Sequence, residues 1–189
     1  PADNPFGDSP VWALGLRNPF GIAIDPASGE TFVTENGPSE FDEINRIVAG
    51  GNYGWPVVSG PASDDLVNGL EGHYMDPVLA YEDIIVPTGI AFADPYNAIP
   101  SIAGNMFFGT YGDQTIHRVV MNRRHTRVIE DVIWFHSPEP VVAVALEVSV
   151  GRVVAASLGV SDRTKVRSAL GWTAPATGAI FPLMQGSGQ

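Results

Sequence analysis

The apolar positions of this chain fall in short β-rich runs cut by turn residues. "GIAID" (21–25) and "TFVTEN" (31–36) are apolar runs split by "PASGE", a hairpin-type turn of Pro, Ser and Gly. "EINRI" (43–47) alternates apolar and polar positions, and "NYGWP" (52–56) follows. "TGIAFAD" (88–94) then repeats the first run and "NMFFGTY" (105–111) the second, with "TIHRVVM" (115–121) and "RVIEDVIWF" (127–135) completing a second group. A third group starts at "PVVAVALEV" (140–148) and "GRVVAASL" (151–158). No window of eleven or more residues sustains a helical period.

The groups share a phrase, Pro-x-Gly-Ile-Ala followed by Ile or Phe, at 19–24 and 87–92, with a weaker echo at 140–144. Four short strands repeated at this spacing predict the blades of an all-β propeller. A plain β-sandwich with accidental similarity is the alternative. The sequence therefore reads as one domain over 1–189, about three blades, with 159–189 a divergent or irregular tail that lacks clear alternation. Three blades cannot close a ring, so open faces and strand edges require either further blades or a second copy of the chain.

Composition supports this picture. Gly (21) and Pro (16) serve many tight turns, and 44% of residues are hydrophobic. With a net charge of −11, the chain should repel phosphate backbones, so no nucleic-acid partner is expected. No apolar stretch is long enough for a membrane span. Without cysteine, disulfides and thiolate zinc sites are excluded. The chain begins at Pro1 without Met or a leader, which reads as a processed or partial chain.

Three stretches could carry chemistry. In "TENGPSEFDEINRI" (34–47) a Gly-Pro turn frees carbonyls beside Asp42 and Glu43, the hard oxygen ligands that Ca²⁺ prefers. A solvated acidic turn is the plainer reading. In "GNYGWP" (51–56) Tyr53 and Trp55 alternate and face either a pocket or a wedge between blades. In "GLRNPFGIAID" (15–25) Arg17 and Asn18 supply donors for an anionic cofactor or substrate, or a salt bridge between blades. The four histidines show no metal spacing, and His117, inside a strand, reads as a packed or surface residue. A nucleophile elbow and a phosphate loop are both missing.

Taken together and in order, "GLRNPFGIAID", "TENGPSEFDEINRI", "GNYGWP" and "PTGIAF…FFGTYGD" resemble the soluble glucose/sorbosone dehydrogenases over roughly residues 11–158. The resemblance implies a six-bladed β-propeller, pyrroloquinoline quinone (PQQ) and Ca²⁺ as cofactors, a sugar substrate oxidised to its lactone, and a periplasmic or secreted location. It implies that Arg17 and Asn18 contact the PQQ carboxylates. Carbonyls of Gly37 and Pro38 would hold the cofactor's Ca²⁺, while Glu43 and the Tyr53 carbonyl would hold a structural Ca²⁺. The chain also departs from the family. Phe20 stands where a Gln is usual, Gly112 where a quinone-binding Lys is usual, and no arginine pair lies near 140–148. The family's His base belongs to earlier blades, so no catalytic residue is assigned here, and this chain alone is expected to be inactive. A non-redox propeller that binds carbohydrate or protein and keeps a structural Ca²⁺ is the alternative function.

Overall fold

The computed structural model describes residues 2–97, 99–147, 152–157 and 180–183. The first sheet has the order β1-β2-β3-β6. It is built from β1 (Pro19–Ile24), β2 (Thr31–Glu35) and β3 (Asp42–Ile47). The chain then leaves the sheet through β4 (Gly51–Asn52), a single helical turn α1 (Asp64–Val67) and β5 (His73–Tyr74). It returns as β6 (Leu79–Tyr81), the outer strand. The sequence reading names no strand between 57 and 87, so β6 is an addition. It is three residues long, bounded by Pro77–Val78 and Glu82, too short to show alternation.

The second sheet runs β7 (Pro87–Phe92), β8 (Met106–Thr110), β9 (Thr115–Met121) and β10 (Val128–His136), antiparallel throughout. The third has the order β11-β12-β13, from β11 (Val141–Glu147), β12 (Arg152–Ser157) and β13 (Ile180–Leu183). Most of the tail from 159 lies outside the described residues, but Ile180–Leu183 pairs antiparallel with β12.

The shared phrase has a physical basis. Ile22 pairs with Val33 and Ala23 with Phe32, just as Ile90 pairs with Phe108 and Ala91 with Phe107. Both ladders are irregular between the Pro and the Ile. The Gly between them lies where the next sheet's inner strand passes. A Cβ on Gly21 would stand 2.4 Å from the Thr88 carbonyl oxygen, and one on Gly89 would stand 2.6 Å from Ala143 Cα. Thr34 Oγ1 completes the first contact, donating to the Thr88 carbonyl at 2.7 Å, and Thr88 Oγ1 completes the second, donating to the Val141 carbonyl at 2.9 Å.

Alternation along each strand then gives every inner sheet two apolar faces. Phe32 and Ile44 of the first sheet pack on Ile90, Phe92, Met106 and Phe108 of the second, with the Phe32 and Phe92 rings 5.1 Å apart. The second sheet's other face carries Phe107 and Ile116 against Val141, Val144 and Val153 of the third. Each such buried side chain contributes about 1.5–3 kcal/mol. A polar tie crosses the first interface. Tyr81 Oη donates to Asp131 at 2.6 Å, and His117 Nδ1 lies 2.9 Å from the same carboxylate. His117 stacks on Phe108 at 4.7 Å, so it is packed between blades. Burial first, then Asp131, pushes the Tyr81 phenol far above its usual range. These sheets are consecutive blades of a β-propeller, packed face to face as sequence periodicity requires.

Candidate functional site

The end of the first blade is shaped by an aspartate. Asp42, fully buried at the start of β3, accepts the Gly37 N–H at 2.8 Å and the Ile85 and Val86 N–H groups at 2.7 Å each. It therefore closes the Gly-Pro turn onto the loop that leads into β7. Its oxygens are committed to three backbone donors, so its part is to build the site. Gly37 is required in the turn, since a Cβ there would meet the Glu40 carbonyl oxygen at 2.2 Å.

Around this turn a small pocket gathers Arg17, Glu35, Asn36, Gly37, Glu43, Tyr53 and Trp55. Its centre has room for about one water-sized sphere. Of the residues singled out from sequence, Arg17, Gly37, Glu43 and Tyr53 thus line one space. Asn18 is exposed next to it, and Pro38 is exposed and outside the lining.

Arg17 is exposed but held. Its guanidinium donates to the carbonyls of Asn36 (2.8 Å) and Gly37 (3.1 Å) and lies 5.4 Å above the Trp55 ring. Trp55 therefore presents its ring to this site, whereas the Tyr53 hydroxyl donates to the Arg46 carbonyl at 2.6 Å and accepts from Val48 at 3.0 Å. Burial raises the Tyr53 phenol, so it stays protonated in this role.

Glu35 and Asn36 are the site residues that sequence reasoning missed. Glu35 Oε1 accepts the backbone N–H groups of Arg17 and Asn18, both at 2.6 Å. Glu35 Oε2 and Asn36 Oδ1 are buried acceptors with no hydrogen-bond partner. Glu43 sits directly across the ladder from Glu35 and accepts from the Gly60 N–H (2.6 Å) and from Asn45 Nδ2 (2.8 Å). Burial raises the proton affinity of both carboxylates, and their hydrogen bonds only partly offset it. Glu43 adds to the rise at Glu35, as like charges must.

No group of three or more His, Asp or Glu that could hold a metal occurs among the described residues. The pocket instead combines two carboxylates with amide and carbonyl oxygens. That is an all-oxygen donor set, which suits Ca²⁺ rather than a nitrogen- or sulfur-seeking ion. Orphaned acceptors facing paired like charges are what a bound cation would relieve.

Phe20 and Gly112, also singled out from sequence, lie elsewhere. Phe20 lines a separate apolar cleft with Trp12, Leu16 and Ile22, away from the pocket. At Gly112 a Cβ would stand 2.8 Å from the Ile85 carbonyl oxygen, so no side chain fits there without a shift.

Residues 1–145 match the family described as Glucose / Sorbosone dehydrogenase. The aldose sugar dehydrogenase YliI of Escherichia coli is 34% identical over 148 residues, 69% of this chain and 38% of that protein. The PQQ-bound aldose sugar dehydrogenase of Streptomyces coelicolor superposes with a TM-score of 0.66 at 25% identity, over 83% of this chain and 42% of that one. The apo form of the soluble aldose sugar dehydrogenase of E. coli gives a TM-score of 0.68 at 26% identity, over 82% and 47%. The chain thus spans less than half the length of these relatives.

Proposed function

Because the chain belongs to the glucose/sorbosone dehydrogenase family, we propose that it forms the cofactor-carboxylate and Ca²⁺ end of a PQQ-dependent enzyme that oxidises aldoses to lactones. The observation that carries this reading is the convergence of Arg17, Gly37, Glu43 and Tyr53 on one pocket with orphaned acceptors. A Ca²⁺ would be held by Glu43 and the Tyr53 carbonyl, and a cofactor-bound one by the carbonyls of Gly37 and Pro38. The quinone, when bound, supplies the two-electron acceptor for the sugar. Arg17 and Asn18, exposed at the pocket's edge, would pair with its carboxylates and fix its orientation. The Trp55 ring 5.4 Å from the guanidinium supports it at the pocket's edge.

No residue of this chain is proposed as the base that takes the sugar hydroxyl proton. The position that the resemblance matches to a quinone-binding Lys is Gly112, which carries no side chain to make that contact. The 189-residue chain by itself is therefore proposed to be inactive, and further blades or a second copy would complete the site. A periplasmic or secreted location is proposed with the family. No helix among the described residues is long and apolar enough to cross a membrane. The comparisons do not favour the non-redox alternative.

The test is dye reduction by the full-length protein with glucose and other aldoses, with and without PQQ and Ca²⁺. PQQ-dependent turnover that falls in Arg17→Ala is the expected result. Turnover without PQQ, or none with any aldose, would refute it.

A further inference from the structure

Glu35 divides its two oxygens between different neighbours. Oε1 holds the backbone N–H groups of Arg17 and Asn18, while Oε2 is buried and without a partner, on a residue that lines the pocket. The residue is only 4% exposed, and Glu43, equally buried, stands directly across the β2–β3 ladder. Like charges directly opposite on one face repel. A second buried acceptor, Asn36 Oδ1, also lacks a donor. An unmade bond at a buried acceptor is costly, and the nearby Arg17 guanidinium is spent on the Asn36 and Gly37 carbonyls, so this arrangement points to a further positive partner.

We infer that Glu35 is a positioning residue that couples a divalent cation to the anion-binding dipeptide. Oε2 joins Glu43 on the cation, and through Oε1 the same rigid carboxylate fixes the backbone that presents Arg17 and Asn18. The cation then does more than stabilise the loop. It sets the orientation of the two side chains that meet the cofactor's carboxylates. This inference rests on the Ca²⁺ reading of the pocket given above. It adds to it a carboxylate outside the Glu43–Tyr53 pair and a consequence for the neighbouring dipeptide.

The probe is Ca²⁺ alone, added to the full-length protein. Calorimetry measures its affinity, and hydrogen–deuterium exchange follows the amides of Arg17 and Asn18. In the wild type, Ca²⁺ should bind and slow exchange at both amides. Glu35→Gln retains an acceptor for the two amides but loses the ligating charge. It should weaken Ca²⁺ roughly 10- to 100-fold and remove the Ca²⁺-dependent protection. Ca²⁺ binding that Glu43→Gln abolishes but Glu35→Gln leaves intact would overturn the coupling and spare the Ca²⁺ site. So would wild-type binding with unchanged exchange at the two amides, a result that needs no variant to fold. If the wild type takes up no Ca²⁺, the coupling and the Ca²⁺ reading fall together.

Discussion

At the scale of single residues, the site is governed by where carboxylate oxygens are spent. Asp42 spends both on three backbone N–H groups that join the Gly-Pro turn to the next blade. Asp42→Ala should therefore destabilise by about 3 kcal/mol or more, since buried donors to a charged acceptor are left unpaired. Denaturant unfolding would show this, and a loss below about 1 kcal/mol would mean that water replaces the carboxylate easily. Glu43 accepts from the Gly60 N–H and from Asn45 Nδ2 and also lines the pocket. A ligand that binds only the folded state adds about 2.7 kcal/mol at 100 times its Kd. Melting temperature should accordingly rise with Ca²⁺ in the wild type and not in Glu43→Ala. Arg17, Gly37, Glu43 and Tyr53, which line one pocket, were singled out from the sequence because each sits in a short motif with turn or charge signals that also carries the family resemblance. Glu35 was not. It reads as the end of a strand, and its value comes from two amides 17 and 18 residues earlier and from an empty lone pair, neither of which leaves a local trace.

At the scale of elements, the repeated Pro-x-Gly-Ile-Ala phrase is a packing instruction. The glycine lets each inner strand approach the next within van der Waals contact of its backbone. Gly21→Ala and Gly89→Ala should each cost about 1–3 kcal/mol by overpacking. Thermal unfolding of the two variants tests this, and unchanged midpoints would show that the inner strands can separate without penalty. The repeat made three strands of the first sheet and all four of the second readable, because each is a short β-rich run bounded by turn residues. The fourth strand of the first sheet did not show. Residues 48–78 detour through β4, α1 and β5 to carry Tyr53 and Trp55 to the pocket, and only three residues remain to pair with β3. The long connection hides the short strand that follows it.

At the scale of the whole molecule, equivalent residues have opposite fates. Ile90 and Phe92 are 6% and 8% exposed against the first blade, while their counterparts Ile22 and Ile24 are 71% and 67% exposed. With Phe20 and the cleft beside them, they form an apolar face of the kind a neighbouring blade covers. The 189-residue chain should self-associate in light scattering, and Ile22→Glu with Ile24→Glu should reduce it. A monodisperse wild-type monomer would show that the face tolerates water. Propeller architecture was visible early because repetition is a property of the whole sequence. The central claim, that this end of the propeller holds the carboxylates of a quinone cofactor, is tested most directly by titrating the full-length protein with PQQ in saturating Ca²⁺ and following absorbance. The account predicts a saturable spectral change whose affinity falls about ten-fold or more in Arg17→Ala, which corresponds to about 1.4 kcal/mol. No saturable change, or equal affinity in the two proteins, would contradict it.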